Sequence, residues 1–444
     1  MLSKIFSVYS LLLAIAILLL GGGLLGTTLG IRAGLENFSD TATGIIMSAF
    51  FVGYVIGSYL CPRLIHQVGH IRAFTVLAAF GTASVLVHGL IVDAYAWWLL
   101  RVVTGICTVG LYLVIESWLN TLLEPHNRGK VFGIYVSVTL LSLGSAQYLI
   151  LIYGAAEIAT FMLCAIFFAL ALVPIAVTRL TQPPQIVVPK LIVRRLMKIS
   201  PVGVAGSVGT GLGNGAFWGL GALYGHDLGY TDTEIAMFMS AVIFGGALLQ
   251  VPIGHQSDKH DRRKVLMIVS FLTVLSALLI YILASRSWWG MLVGAVLYGG
   301  FSFAVYSLMV AHTNDHIEPE EVTDATRGLL LLNGLGAAIG PIVAGILMQQ
   351  FGPQSLILYF AAVFALLGFY TLHRMSVSKP LPMDQQGEFV AFTRTGTAAV
   401  EMDPRTEHEE DEGESQETGS QTDTQQDINA EENEPEQQVR QQSQ

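Results

Sequence analysis

Residues 41–62 read TATGIIMSAFFVGYVIGSYLCP, an apolar run with no Asp, Glu, Lys or Arg. As an α-helix such a run is long enough to cross a hydrocarbon core of roughly 30 Å. A second run, 233–254, reads TEIAMFMSAVIFGGALLQVPIG, and Met47-Ser48-Ala49 with Gly53 recurs there 192 residues on as Met239-Ser240-Ala241 with Gly245. A membrane-crossing segment that returns in the second half of the chain predicts a duplicated, polytopic helical protein.

Working outward, further apolar runs lie near 8–31, 72–93, 95–120, 130–153 and 157–178, and then near 201–224, 265–284, 288–312, 328–349 and 353–372. The total is twelve, six in each half, and the fold class they predict is an all-α polytopic membrane protein of two pseudo-symmetric six-helix bundles. The runs are continuous and lack the alternation of a lipid-facing β-barrel. Two more matches support duplication: Trp97-Trp98 returns 191 residues on as Trp288-Trp289, and Arg128-Gly129 returns 199 on as Arg327-Gly328. Composition agrees, with 52% hydrophobic and 13% charged residues, against about a quarter charged in soluble domains. The run after Lys4 exceeds a signal-peptide core in length and is read as the first span.

Charge divides the chain. Of 33 acidic and 23 basic residues, 17 and 4 lie between Ser376 and Gln444, leaving 16 and 19 for residues 1–375. The body is slightly basic and the last stretch strongly acidic. Seventeen Lys and Arg, among them Lys4, Arg63, Arg72, Lys130, Arg194, Arg195, Lys198 and Arg374, fall in loops on the side of the N-terminus, against Arg32 and Arg286 on the other. That asymmetry predicts both termini in the cytoplasm. The expected organisation is a bundle over 1–180, a basic cytoplasmic linker over 181–200, a second bundle over 201–375, and a disordered acidic tail over 376–444.

Between the eighth and ninth runs the chain reads Gly254-His-Gln-Ser-Asp258-Lys259-His-Asp261-Arg262-Arg263-Lys264. The Gly permits close helix approach, the Asp suits the positive N-terminus of a neighbouring helix, and the basic cluster holds the loop in the cytoplasm. This loop resembles the signature loop of the major facilitator superfamily. The first-half equivalent, with Pro62, His66, Gln67, Gly69, His70 and Arg72, lacks the acid. Pseudo-symmetry then predicts that Asp258 sits against the start of the fifth span, near Arg128 and Gly129, with Gly254, Lys259, Arg262 and Arg263 completing the gating loop.

In the fourth span, Arg101, Gly105, Thr108, Tyr112 and Glu116 are spaced 4, 3, 4 and 4 apart, which puts them on one helix face. Ionisable groups at membrane depth face a cavity or a partner, so Arg101 and Glu116 are the coupling candidates. For Arg101 the readings are an anion or proton site, snorkelling, or packing; for Glu116, a proton carrier or a structural charge network. Arg101-Val-Val-Thr-Gly105 resembles the Arg-x-x-x-Gly pattern of the superfamily, in which the Arg is associated with proton coupling. Glu116-Ser-Trp-Leu-Asn120 followed by Arg128-Gly129 resembles the YcaD-like bacterial branch. That resemblance implies a multi-pass small-molecule carrier of the inner membrane and supplies no substrate. The fifth span, Leu140-Leu-Ser-Leu-Gly144-Ser-Ala-Gln147, lacks the Gly-Pro pattern of the superfamily's antiporters.

Tyr112, Gln147, Asn214, Trp218, Gln250, Tyr306 and Asn333 interrupt apolar runs and are the candidates for a substrate cavity. Cys61, Cys107 and Cys164 form no CxxC pair, and no metal-ligand spacing occurs. No Walker loop or nucleophile–base pair is present, so neither a cofactor nor enzymatic activity is expected. The expected partners are a small molecule, H+ as coupling ion and the lipid bilayer, without nucleic acid, in a monomer. The leading reading is a secondary carrier working by alternating access; the other is a membrane sensor signalling through its acidic tail.

Overall fold

The structure is a computed structural model that describes residues 2–123, 125–178, 183, 193–318, 321–377, 381, 382, 386, 387 and 389–391. The first half comprises α1 (Leu2–Leu35), α2 (Asp40–Val68), α3 (His70–Leu90), α4 (Ala94–Leu122), α5 (Pro125–Ala146) with a 3₁₀ turn over Gln147–Ile152, α6 (Ile158–Leu170) and α7 (Leu172–Val177). A short α8 (Val193–Ile199) precedes α9 (Pro201–Asp227), α10 (Asp232–Ser257), α11 (Arg262–Leu283), α12 (Trp288–Asn314), α13 (Val322–Phe351) and α14 (Ser355–Val377). Among the described residues there is no strand. Eleven spans are long and apolar enough to cross a membrane, α6 and α7 forming one of them. The twelfth is α9, whose glycines dilute its hydropathy while its 27-residue length matches the others.

The duplication seen in the sequence is repeated in the packing. Ser39 caps α2 by accepting a hydrogen bond from the Ala42 amide, and Thr231 caps α10 through a capping box with Glu234. The residues that turn the chain just before, Asn37 and Gly229, both have positive φ, 57° and 78°. Phe38 meets Trp97 edge-on at 5.3 Å, and Tyr230 meets Trp288 edge-on at 5.3 Å. At the α2–α4 crossing a Cβ on Gly53 would collide with the Val102 carbonyl; at the α10–α12 crossing one on Gly245 would collide with the Val296 carbonyl. Gly thus recurs because the backbones touch there.

The two halves meet at the end away from the termini. Gly44 of α2 lies against the Pro341 carbonyl of α13, and Gly345 against the Asp40 carbonyl. Gly30 of α1 faces Ala222 of α9 at 3.1 Å from a Cβ to its methyl. Ser240 Oγ of α10 donates to the Gly144 carbonyl of α5 at 2.9 Å, and the Ala155 amide donates to Asp232 Oδ2 at 3.2 Å. The eleventh-span Gly336, Gly340 and Gly345 pack on helix backbones, as small residues in membrane helices do.

Of the linker stretch, α8 and Pro183 are described; α8 buries Leu196 and joins the second half through an Arg195–Glu321 ion pair of 2.5 Å. The tail expected to lack structure from about residue 380 is held at its beginning. The Gly387 amide donates to Asp315 Oδ1 at 3.1 Å, its carbonyl accepts from Arg262 Nη2, and the Phe389 ring covers Gly254 so closely that a Cβ there would collide with it. Phe389, Val390 and Ala391 pack against the apolar core. The first three residues of the apolar run 389–392 bury surface that composition averaged over the acidic tail conceals. The rest of the tail lies outside the described residues.

Candidate functional site

A cavity of about 160 Å³ lies between the halves, with walls from α1, α2, α4, α5, α6, α9, α10, α12 and α13. Six of the seven sequence candidates line it: Tyr112, Asn214, Trp218, Gln250, Tyr306 and Asn333. Gln147 does not. Its buried amide accepts from Thr27 Oγ1 and donates to the Leu143 carbonyl at 2.9 Å, because it opens the 3₁₀ turn and satisfies that break in the helix. Gln250 and Asn333 are also engaged: Gln250 Nε2 donates to Ser307 Oγ at 2.6 Å, and Asn333 Nδ2 to the Ser207 carbonyl and Thr210 Oγ1 at 3.1 and 3.0 Å.

The polar stripe of α4 splits between three neighbours. Arg101, Thr108 and Tyr112 line the cavity, whereas Gly105 packs on the Phe50 carbonyl of α2. Glu116 lies beyond the cavity, fully buried, and accepts a hydrogen bond from Tyr135 Oη of α5 at 2.7 Å. Arg101 is 6% exposed, its guanidinium carbon stands 4.6 Å from the centre of the Phe50 ring, and its Nε has no hydrogen-bond partner. Two other wall atoms share that state, Asn214 Oδ1 and Thr139 Oγ1. The aromatic wall is Trp218 stacked on Phe303, with centroids 6.1 Å apart and planes 21° apart.

Phe50, Tyr54, Thr139 and Phe303 were not singled out in the sequence. An aromatic or hydroxyl residue in an apolar run reads the same whether it faces lipid, a neighbour or a cavity; the signal that could have found one of them is the repeat, since Phe303 lies 191 residues after Tyr112, the offset of Trp97 and Trp288.

In the α10–α11 loop, Asp258 pairs with Arg262 of its own loop at 3.2 Å, and Arg262 pairs with Asp315 at the end of α12 at 3.0 Å. The seat predicted for Asp258, beside Arg128 at the start of α5, involves a side chain outside the described residues. Arg263 pairs with Asp261 at 3.0 Å, and Lys259 is exposed. Burial of Asp261 opposes its ionisation, but hydrogen bonds from the Arg263 side chain and backbone hold its carboxyl below the usual range. Among the described residues there is no cluster of three or more potential metal ligands.

Comparison with known proteins agrees with this architecture. The uncharacterized MFS-type transporter YcaD of Escherichia coli O6:K15:H31 (strain 536 / UPEC) is 24% identical over 360 residues, 80% of this chain and 92% of that protein. The crystal structure of the nucleoside transporter NupG superposes with a TM-score of 0.69 at 15% identity, over 84% of this chain and 100% of that one. A bacterial homolog of the human lysosomal transporter Spinster, solved inward-facing and unoccupied, superposes with a TM-score of 0.63 at 13% identity, over 91% and 97%. The sequence profile of the Major Facilitator Superfamily matches residues 11–202 and again 203–400, one match per half. With twelve crossing helices in two repeats around a shared cavity, this chain is a membrane transporter of the Major Facilitator Superfamily.

Proposed function

We propose that the protein is a secondary carrier of the bacterial inner membrane, in which the two six-helix halves rock about the central cavity and expose it to each side in turn. The observation that carries this reading is the cavity itself, walled by both halves while their close contacts gather at one end. The Lys and Arg asymmetry of the loops puts the termini in the cytoplasm; the closed end is then periplasmic and the cavity faces inward. Opening that end requires α2 to part from α13, α1 from α9 and α5 from α10. In the alternate state the second-half loop closes on the first half, and Asp258 exchanges Arg262 for the start of α5. YcaD, the relative named above, fits a bacterial inner-membrane location.

Coupling to protons is part of the same reading. Glu116 is the fully buried carboxylate inside a span among the described residues, and Tyr135 gives it a hydrogen-bond partner whose preference depends on its charge. The test is uptake into proteoliposomes with and without an imposed pH gradient, comparing the full-length protein with Glu116→Gln. Gradient-driven accumulation that becomes gradient-independent in the variant, with binding retained, is the expected result. Equal accumulation by both proteins under the gradient removes Glu116 from the coupling path, and binding without movement under any gradient removes the carrier reading.

A further inference from the structure

Among the residues that line the central cavity, Arg101 is the one with a formal charge; no Asp, Glu, Lys or His joins it in the wall. It stands seven residues into α4, and at 6% exposure its head is not in open water. No carboxylate approaches it among the described residues; its near neighbour is the Phe50 ring. A cation–π contact offsets only part of the cost of removing a guanidinium from water. Glu116, about four turns further along α4, is committed to Tyr135 and lies outside the cavity. The cavity therefore carries an uncompensated positive charge with a donor, Nε, left unused.

Two further atoms of the wall are buried without partners, Asn214 Oδ1 on α9 and Thr139 Oγ1 on α5. They differ from the neighbouring Gln250 and Asn333, whose amides are bonded to other helices. The remaining wall is mostly apolar and includes the Trp218–Phe303 stack. A guanidinium presents a planar fork that matches carboxylate, sulfonate or phosphate oxygens, which bind it through charge-assisted hydrogen bonds.

We infer that the cavity receives an amphipathic organic anion, its charged end on the Arg101 guanidinium, its apolar body against Trp218 and Phe303, and its other polar groups hydrogen-bonded to Asn214 and Thr139. That this anion is cargo rests on the carrier reading above; that it binds does not. The first half then supplies the charge and the second half the stacking face, so the ligand touches both rocking units.

The test uses the full-length protein in detergent micelles and ligands that share one body. 2-Naphthoate, 2-naphthalenesulfonate and 2-naphthyl phosphate are compared with neutral 2-naphthamide and cationic 2-naphthylmethylammonium, by thermal stabilisation and tryptophan quenching. The expected result is at least one anion binding about tenfold or more tighter than both controls, the scale set by a buried charged hydrogen bond. The preference should persist in Arg101→Lys and vanish in Arg101→Gln, while Trp218→Ala weakens anion and amide alike. The inference is overturned if the amide or the ammonium binds as tightly as every anion in the unaltered protein, a comparison that needs no variant to fold, or if the preference survives Arg101→Gln. Proteoliposome uptake of the tightest anion separates the two readings. Saturable binding without uptake supports the anion site and counts against a carrier, whereas uptake that favours the amide counts against the anion site and leaves the carrier standing.

Discussion

Arg101 faces the ring of Phe50 across the α4–α2 crossing at 4.6 Å, and beside that contact Gly105 lies on the Phe50 carbonyl. One residue of α2 thus provides both the close backbone seat of α4 and the aromatic surface for its cation. A buried charge held in this way is a cost to the empty protein, tolerated where function uses it.

Replacing Arg101 by Met should therefore raise the melting temperature of the unliganded protein, in line with a gain of about 1 kcal/mol or more when an unpaired buried charge is removed. Differential scanning fluorimetry in the same micelle measures it. A fall in melting temperature would mark Arg101 as a packing residue.

The glycines of the structure range between two extremes. Gly53 and Gly245 leave no room for a Cβ, whereas Gly22 and Gly26 line the cavity with nothing within 4 Å of theirs. Gly53→Val and Gly245→Val should each cost about 1–3 kcal/mol through overpacking. Gly26→Leu should leave the melting temperature within a few degrees and abolish ligand binding by filling the cavity. Melting curves and binding isotherms on the same four samples check this.

The seat of the tail predicts a cross-link. Since the native Cys61, Cys107 and Cys164 are buried, a Gly254→Cys and Phe389→Cys pair should form an internal disulfide under mild oxidation, seen as a mobility shift reversed by reductant. The single variants should show none. Absence of the shift in the double variant would mean that the tail does not rest on the α10–α11 loop.

Asp261 gives a pH dependence. Its pKa is lowered in the folded protein from a starting value of 3.8, so the Asp261–Arg263 contact contributes stability fully above that value and loses it as pH falls through the lower, folded-state value. Asp261→Asn should melt below the unaltered protein at pH 7, and the two curves should converge in acid below pH 3.8. A gap that persists there would contradict the assignment.

The sequence revealed the spans, the division into halves and most of the cavity wall, because membrane helices declare themselves by length and apolarity and because duplication repeats its contacts. Gly53 and Gly245, or Trp97 and Trp288, are legible since each pair solves one packing problem twice. Arg101 was legible because a charge in an apolar run must have a reason. Gln147 shows the limit: an amide that closes a break in its own helix cannot be told by composition from one that faces a ligand. Asp258 shows another limit: its pairing with Arg262, four residues on in the same loop, competes with the seat that pseudo-symmetry predicts, and spacing alone does not choose between them. Phe389 escaped because the four apolar residues 389–392 vanish in the average of an acidic tail.

The rocking of the two halves is tested most directly by which side of the membrane reaches the cavity. Asn214→Cys places a thiol in its wall, and vesicles of known orientation allow labelling by an impermeant maleimide from either side. Alternating access predicts labelling from both sides, and predicts that an oxidised Gly30→Cys and Ala222→Cys pair, which staples α1 to α9 at the closed end, abolishes labelling from the side opposite the termini while sparing the other. Labelling confined to the terminus side with or without the staple would contradict alternating access.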